Sequence, residues 1–91
     1  MTYEKGSYMG WSNIETWNTK LWIDNVYGLY KTVFDFYDTS KNQGDLADTL
    51  EQYLTIIWGG FTPDKKSLKP VNWSQIAERI YDDYEQEYLP V

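Results

Sequence analysis

The chain has 91 residues and a net charge of −6, from 14 acidic and 8 basic side chains, and it contains neither cysteine nor histidine. Without cysteine there are no disulfides, no thiolate catalysis and no cysteine-based metal sites. Without histidine the usual general base and the Ser-His and Cys-His nucleophile pairs are also missing. We therefore expect a protein that is not an enzyme, uses no cofactor, and is repelled by nucleic acid and anionic membranes.

The composition predicts one small globular domain. Hydrophobic residues make up 42% of the chain and aromatic residues 19%, and large aromatics let a short chain build a core from few positions. No apolar run approaches the roughly 20 residues of a membrane helix, and the first residues lack a signal-peptide core. We expect a single cytoplasmic domain over residues 1–91. Residues 1–11 should form a loose arm, because no helical periodicity is present there.

The first helix is predicted over residues 13–24. Ser12 is followed three residues later by Glu15, which is the spacing of a capping box at a helix start. Apolar side chains then recur at helical spacing, and these should face the core: Ile14, Trp17 and Leu21.

Three tryptophans lie in or beside this helix. Trp17 shares a side with the apolar stripe and is predicted to be core. Trp22 is rotated away from Trp17, next to charged residues, so it is the better candidate for an exposed anchor, although another helix could cover it. Trp11 precedes the helix and could pack back against it as a hydrophobic staple.

The next two apolar patterns are also helical. A stripe over residues 26–37 predicts the second helix, which either is capped by Asp24 and Asn25 or continues the first helix as one bent helix. The third helix is predicted to begin at Gly44 or Asp45 and to end at Gly59, as with a left-handed C-cap. Residues 53–58 are β-branched enough for a strand, but the helical period continues through them.

The fourth helix should begin after Asn72, with Gln75 as its capping-box partner. Its apolar stripe is built from Trp73, Ile76, Ala77, Ile80, Tyr84 and Tyr88. Together these patterns predict an all-α fold, a compact single-domain bundle of three to four helices.

Carboxylates crowd the last helix, and two interpretations apply. In the more ordinary one the tyrosines face the core and the acids face water. In the other, carboxylates about 5–6 Å apart imitate a row of phosphates and occupy a basic nucleic-acid-binding groove, with tyrosine adding contact area. The second interpretation predicts these partner-binding residues, with Trp22 as a separate anchor: Glu78, Tyr81, Asp82, Asp83, Glu85 and Glu87.

Divalent metal binding is the weakest hypothesis. Carboxylate pairs occur at Asp45 with Asp48 and at Glu78 with Asp82, and oxygen ligands of this kind can hold Mg²⁺ or Ca²⁺. Both pairs fall on predicted solvent faces and nothing resembles an EF-hand loop. We therefore predict no metal site.

The stretch WSNIETWNTKLWIDNVYGLY resembles a pattern found in small proteins of phages, plasmids and other mobile elements, approximately N-Y-E-T-W-x-x-x-L-W-(I/L)-(D/N)-N-(D/E)-x-x-x-Y. Ile14 and Val26 depart from that pattern. The matching positions are Asn13, Glu15, Thr16, Trp17, Leu21, Trp22, Ile23, Asp24, Asn25 and Tyr30. Two later blocks look like the same family at Leu46, Ala47, Leu50, Val71, Asn72, Trp73, Ile76, Ala77 and Glu78.

The resemblance implies a mobile element in a bacterial or archaeal cytoplasm. Small acidic proteins of such elements include anti-CRISPR and antirestriction proteins, which act by stoichiometric binding. We therefore expect the chain to inhibit a basic nucleic-acid-binding protein of a host defence system, without binding nucleic acid itself. The alternative is an accessory or assembly module that associates with itself, for example as a homodimer, or docks a partner helix.

Overall fold

The computed structural model describes residues 10–88, with side chains described as far as residue 85. Over this range the chain forms four helices: α1 (Ile14–Asn25), α2 (Tyr27–Thr39), α3 (Gln43–Trp58) and α4 (Trp73–Tyr88). Extended pairing in the described part is limited to one isolated bridge between Phe61 and Ser67. The predicted all-α bundle is confirmed, with four helices. Residues 1–9 of the predicted arm lie outside the described residues.

The N-cap of α1 is Asn13, one residue after the predicted cap Ser12. The Asn13 side chain accepts hydrogen bonds from the Thr16 backbone N (2.8 Å) and hydroxyl (2.6 Å). The predicted capping box of Ser12 with Glu15 is therefore wrong. Asparagine caps a helix as well as serine does, and the Ser12 hydroxyl instead bonds Gln75 on α4 at 2.9 Å.

Helices α1 and α2 are separate. Val26 has an extended backbone (φ −102°, ψ 109°), which ends α1 and begins α2 without a side-chain cap. Asn25 does not cap α2, because its amide donates to the Leu21 carbonyl at 2.7 Å. Val26 itself stays 40% exposed, since it lies at the junction rather than on the packed side of either helix.

Helix α3 begins at Gln43, earlier than the predicted Gly44 or Asp45, whereas its end and the start of α4 lie where the sequence predicts them. Asn42 caps α3 by accepting from the Asp45 backbone N, and Gly59 ends that helix in the left-handed region (φ 67°). Residues 53–58 are therefore helical, as predicted. At α4, Asn72 accepts from the Gln75 backbone N at 3.0 Å. The Gln75 side chain does not close the capping box, because it bonds Ser12 and Gly10 instead.

Apolar sides of all four helices and two residues of the α3–α4 connector form one core. The stripe predicted for α4 is buried as far as its side chains are described. The stripe predicted for α3 is buried at its leucines, whereas Tyr53 is partly buried and Ile57 stays 47% exposed; its members are Leu46, Leu50, Tyr53, Leu54 and Ile57. Burial of these side chains from water is the main favourable term for the fold. The buried apolar residues are Ile23, Leu29, Val33, Leu46, Ala47, Leu50, Leu54, Leu68, Val71, Trp73, Ile76, Ala77, Ile80 and Tyr84.

The predicted apolar side of α1 is wrong. Trp17 is only partly buried and Leu21 is 38% exposed. The buried side consists largely of polar residues, which interiors accept when hydrogen-bonded. Hydrophobic periodicity could not find this side, because its members other than Ile23 are Thr16, Asn18, Thr19 and Lys20.

Trp11 packs against α4 rather than back against α1. The Arg79 guanidinium lies over the Trp11 ring, 4.5 Å from its centroid, in the geometry of a cation–π contact. The described end of the predicted arm is therefore attached to the fold through α4, which the bond from the Gln75 amide to the Gly10 carbonyl (3.0 Å) reinforces.

Candidate partner-binding site

A buried lysine joins α1 to α4. The Lys20 side chain is only 7% exposed, and its ammonium donates to both oxygens of Asp24 (2.7 and 2.9 Å) and to Asp83 (3.2 Å). Asp83 was predicted to contact a partner. The structure instead gives its carboxylate an internal cation, so Asp83 is not part of the free acidic surface.

The outer face of α4 carries three of the predicted carboxylates. Glu78, Asp82 and Glu85 are spaced i, i+4 and i+7, so they form a single row on the side opposite the buried stripe. All three are exposed, and the ion pairs found among the described residues involve only Lys20. We call this row the acidic stripe.

Tyr81 and one acid of α2 lie beside the acidic stripe. The half-buried Tyr81 ring packs edge-on against Tyr37 with centroids 4.8 Å apart, and its hydroxyl is 2.6 Å from the Ser40 hydroxyl. The pKa of Tyr37 is raised by desolvation and then by the charges of Glu85 and Asp38, among others. Asp38 of α2 and Glu85 of α4 therefore both act on the Tyr37 hydroxyl, which sequence reasoning missed because it depends on how α2 packs against α4.

Trp22 lies apart from the acidic stripe. Lys20 and Asp24 face α4, and a residue two positions away on a helix is rotated by roughly 200°, so Trp22 points the other way. Its indole N donates to the Asp64 carboxylate at 2.9 Å, and the Asn18 amide donates to the same oxygen at 2.8 Å. These bonds, from Asn18 first and Trp22 second, lower the pKa of Asp64, and the charge of Lys66 adds to the effect.

The Trp22 indole forms one wall of an apolar cleft of about 290 Å³, here called the Trp22 cleft. Sequence reasoning missed this cleft, because its walls come from the α1–α2 junction, α3 and the connector. Tryptophan, tyrosine and aliphatic side chains around a concave surface are typical of binding sites. The lining residues are Trp22, Val26, Gly28, Leu29, Tyr53, Ile57, Trp58 and Pro63.

Two further predictions concern metal and membrane. Among the residues that the structure describes, no group of three or more acidic side chains is arranged to hold a metal ion. None of the helices in that part of the chain combines the length and apolar character needed to cross a membrane. The predicted contact residue Glu87 has its side chain outside the described part.

These features define an all-α domain that presents two separate surfaces, an acidic helix face and an apolar cleft. The chain belongs to the family described as Family of unknown function (DUF7249), which matches residues 4–89. No curated protein and no solved structure matches the chain.

Proposed function

We propose that the chain is a mobile-element protein, for example from a phage, that inhibits a nucleic-acid-targeting defence complex of its host, of the anti-CRISPR or antirestriction type. It acts without catalysis, by stoichiometric binding to a basic nucleic-acid-binding protein in the host cytoplasm. The acidic stripe takes the place of nucleic-acid phosphates in the basic groove of that partner.

The observation that carries this proposal is the placement of the acids on α4. The last turn of a helix carries partial negative charge, so Glu85 is unfavourable there, and the like charges three and four residues apart along the acidic stripe add a further cost. Helix α4 has no basic residue in its last turn, and its only arginine lies over Trp11. The acidic stripe thus lowers the stability of α4, and no ion pair among the described residues compensates for it. Such a loss is typical of residues that contact a partner.

The spacing of the acidic stripe suits a basic groove. Neighbours at i and i+4 have Cβ atoms about 5–6 Å apart, which brings successive carboxylates close enough to meet adjacent arginine or lysine side chains. Such contacts speed association and weaken as salt rises. The mobile-element context has a different basis, since it depends on the resemblance of residues 13–30.

The first experiment is a phage-plating and plasmid-transformation assay in bacterial strains that each carry one defence system. We expect expression of the chain to rescue plating in one of these strains, which identifies the target system. The test of mechanism is the variant Glu78→Lys/Asp82→Lys/Glu85→Lys, which should lose rescue. Asp83 is left intact, because a lysine there would lie beside the buried Lys20 ammonium and disturb the fold.

A matched control separates the acidic stripe from net charge. Asp35, Asp48 and Glu51 are also exposed but lie on α2 and α3. The variant Asp35→Lys/Asp48→Lys/Glu51→Lys makes the same change in net charge and should keep rescue. If the stripe variant still rescues, or the control fails equally while both are folded by circular dichroism, the acidic-stripe mechanism is wrong.

A second candidate is an accessory or assembly module of the mobile element. It is favoured by apolar side chains that the fold leaves in water, since Ile56 is 79%, Tyr27 74% and Phe61 55% exposed. Exposed apolar surface marks contact sites when it is contiguous. This candidate predicts no rescue in any strain and an association that persists at high salt, because the contact is apolar.

A further inference from the structure

An apolar face extends outward from the Trp22 cleft. Tyr53, Ile56 and Ile57 are spaced i, i+3 and i+4, so they share one side of α3. Tyr53 and Ile57 line the cleft, and Ile56 continues the same side outward, 79% exposed. We call the cleft-lining residues together with Ile56 the cleft face.

Gly28 adds a second, independent observation. It lies near the start of α2 and lines the Trp22 cleft, and a Cβ at this position would meet no atom within 4 Å. Glycine in a helix costs about 1 kcal/mol relative to alanine. The space beside the Gly28 Cα is open within the described chain, so no internal contact there requires a glycine, whereas the bare backbone lets another molecule approach closely.

We propose that the cleft face is occupied by a second copy of this chain, which makes the protein a weak, reversible homodimer. Ile56, Ile57 and Val26 are 79%, 47% and 40% exposed, and the partly exposed aromatic rings of the cleft add to them. Since a large aromatic offers roughly 150–250 Å², the cleft face amounts to on the order of 500 Å² per copy. Two copies then bury on the order of 1,000 Å², which is the lower limit for a specific interface.

The charges around the cleft face suit a copy of the same surface. Asp64 is held at the rim by Trp22, and two exposed or half-exposed lysines, Lys65 and Lys66, follow it directly. In a two-fold interface each contact occurs twice, so Asp64 of each copy can meet a lysine of the other. No residue of α4 lines the cleft, so the acidic stripes of both copies stay outside the contact.

The dimer does not depend on the proposed inhibitory function, although it would display two acidic stripes at once. Its test is sedimentation equilibrium of the full chain from about 1 µM to about 500 µM, which covers weak, reversible association. We expect a shift from monomer to dimer that persists in high salt. A chain that is still monomeric at the highest concentration overturns the proposal.

Two variants and one control locate the interface. Ile56→Glu should weaken dimerisation at least tenfold. Phe61→Glu is the matched control, because Phe61 is 55% exposed but lines a separate cavity with Thr55 and Ser67, and it should leave the dimer unchanged. Equal loss in both variants, or loss only in the control, shows that the cleft face is not the interface.

Gly28→Gln keeps the test valid if Ile56→Glu folds poorly. Glutamine favours helix over glycine, so this variant should melt at a higher temperature as a monomer while its dimerisation weakens. A variant that gains stability and still dimerises like wild type contradicts the proposal. The plating assay is a separate readout, so a failed dimer and a failed inhibitor are distinguishable.

Discussion

The Lys20 ammonium of α1 lies 3.2 Å from the Asp83 carboxylate of α4, although its side chain is 7% exposed and that of Asp83 is 58% exposed. A buried cation is thus paired with carboxylates that water still reaches. Because only the lysine is buried, removing the carboxylates should destabilise the fold more than removing the lysine. The pairing with Lys20 also explains why Asp83 belongs to the α1–α4 contact rather than to the acidic stripe.

Removing the two carboxylates should cost more than removing the lysine. Asp24→Ala/Asp83→Ala leaves an unpaired ammonium in the interior, and we expect a loss of about 2–3 kcal/mol in the free energy of unfolding. Lys20→Met leaves two carboxylates that water can solvate, so we expect a change within about 1 kcal/mol. Urea denaturation of both variants measures the difference, and the opposite order would show that the pair is not organised around a buried cation.

Thr16 should stabilise the fold through the hydrogen bonds of its hydroxyl group. This side chain is fully buried, donates to Asn13 at 2.6 Å, and accepts from the Asn72 backbone N at 2.8 Å. Thr16→Val keeps the shape but leaves the Asn72 N–H without a partner, which should cost about 1–3 kcal/mol. Thr16→Ser retains the hydroxyl and is the control, so thermal unfolding should show the valine variant to be the less stable of the two.

The ionised Asp64 carboxylate should stabilise the fold at neutral pH and lose this effect at acid pH. Hydrogen bonds from Asn18 and Trp22 lower its pKa below the ordinary value of 3.8, so the folded state favours the carboxylate. The stabilisation is present above the unfolded pKa and is lost as pH falls below it, through the lowered folded pKa. The difference in stability between wild type and Asp64→Asn should therefore be largest near neutral pH. It should shrink in unfolding curves followed by tryptophan fluorescence as pH falls below about 4, and a constant difference across that window would contradict the assignment.

Neutralising the acidic stripe should stabilise the fold. Asp82→Asn/Glu85→Gln removes two like charges three residues apart, of which Glu85 lies in the last turn of α4, and we expect a gain of about 0.3–1 kcal/mol. Asp48→Asn is the control, because Asp48 lies in the first half of α3 and the helix dipole does not oppose it. Chemical denaturation at low salt measures both, and a loss of stability in the double variant would mean that the stripe serves the fold.

The end of α3 and the start of α4 could be predicted from local chemistry. Gly59 and Asn72 perform the roles that their residue types favour, because caps depend on neighbours within one turn. The starts of α1 and α3 were missed, because their caps are Asn13 and Asn42. Periodicity also placed the buried sides of α3 and α4, since leucine, isoleucine and alanine recur there at helical spacing. The exposed position of Glu78, Asp82 and Glu85 follows from the same pattern, as the side opposite the core.

Only the tertiary structure decided which side of α1 is buried. It also decided which of the predicted contact residues lie on the acidic stripe and which lie elsewhere. Thr16, Asn18 and Lys20 face inward because Asn72, Asp64 and Asp83, distant in sequence, supply their hydrogen-bond partners. The sequence by itself determined an all-α domain with an acidic last helix, because periodicity and charge are local properties. Separating Trp22 from the acids and forming its cleft required the packing of helices far apart in the chain, which no local pattern encodes.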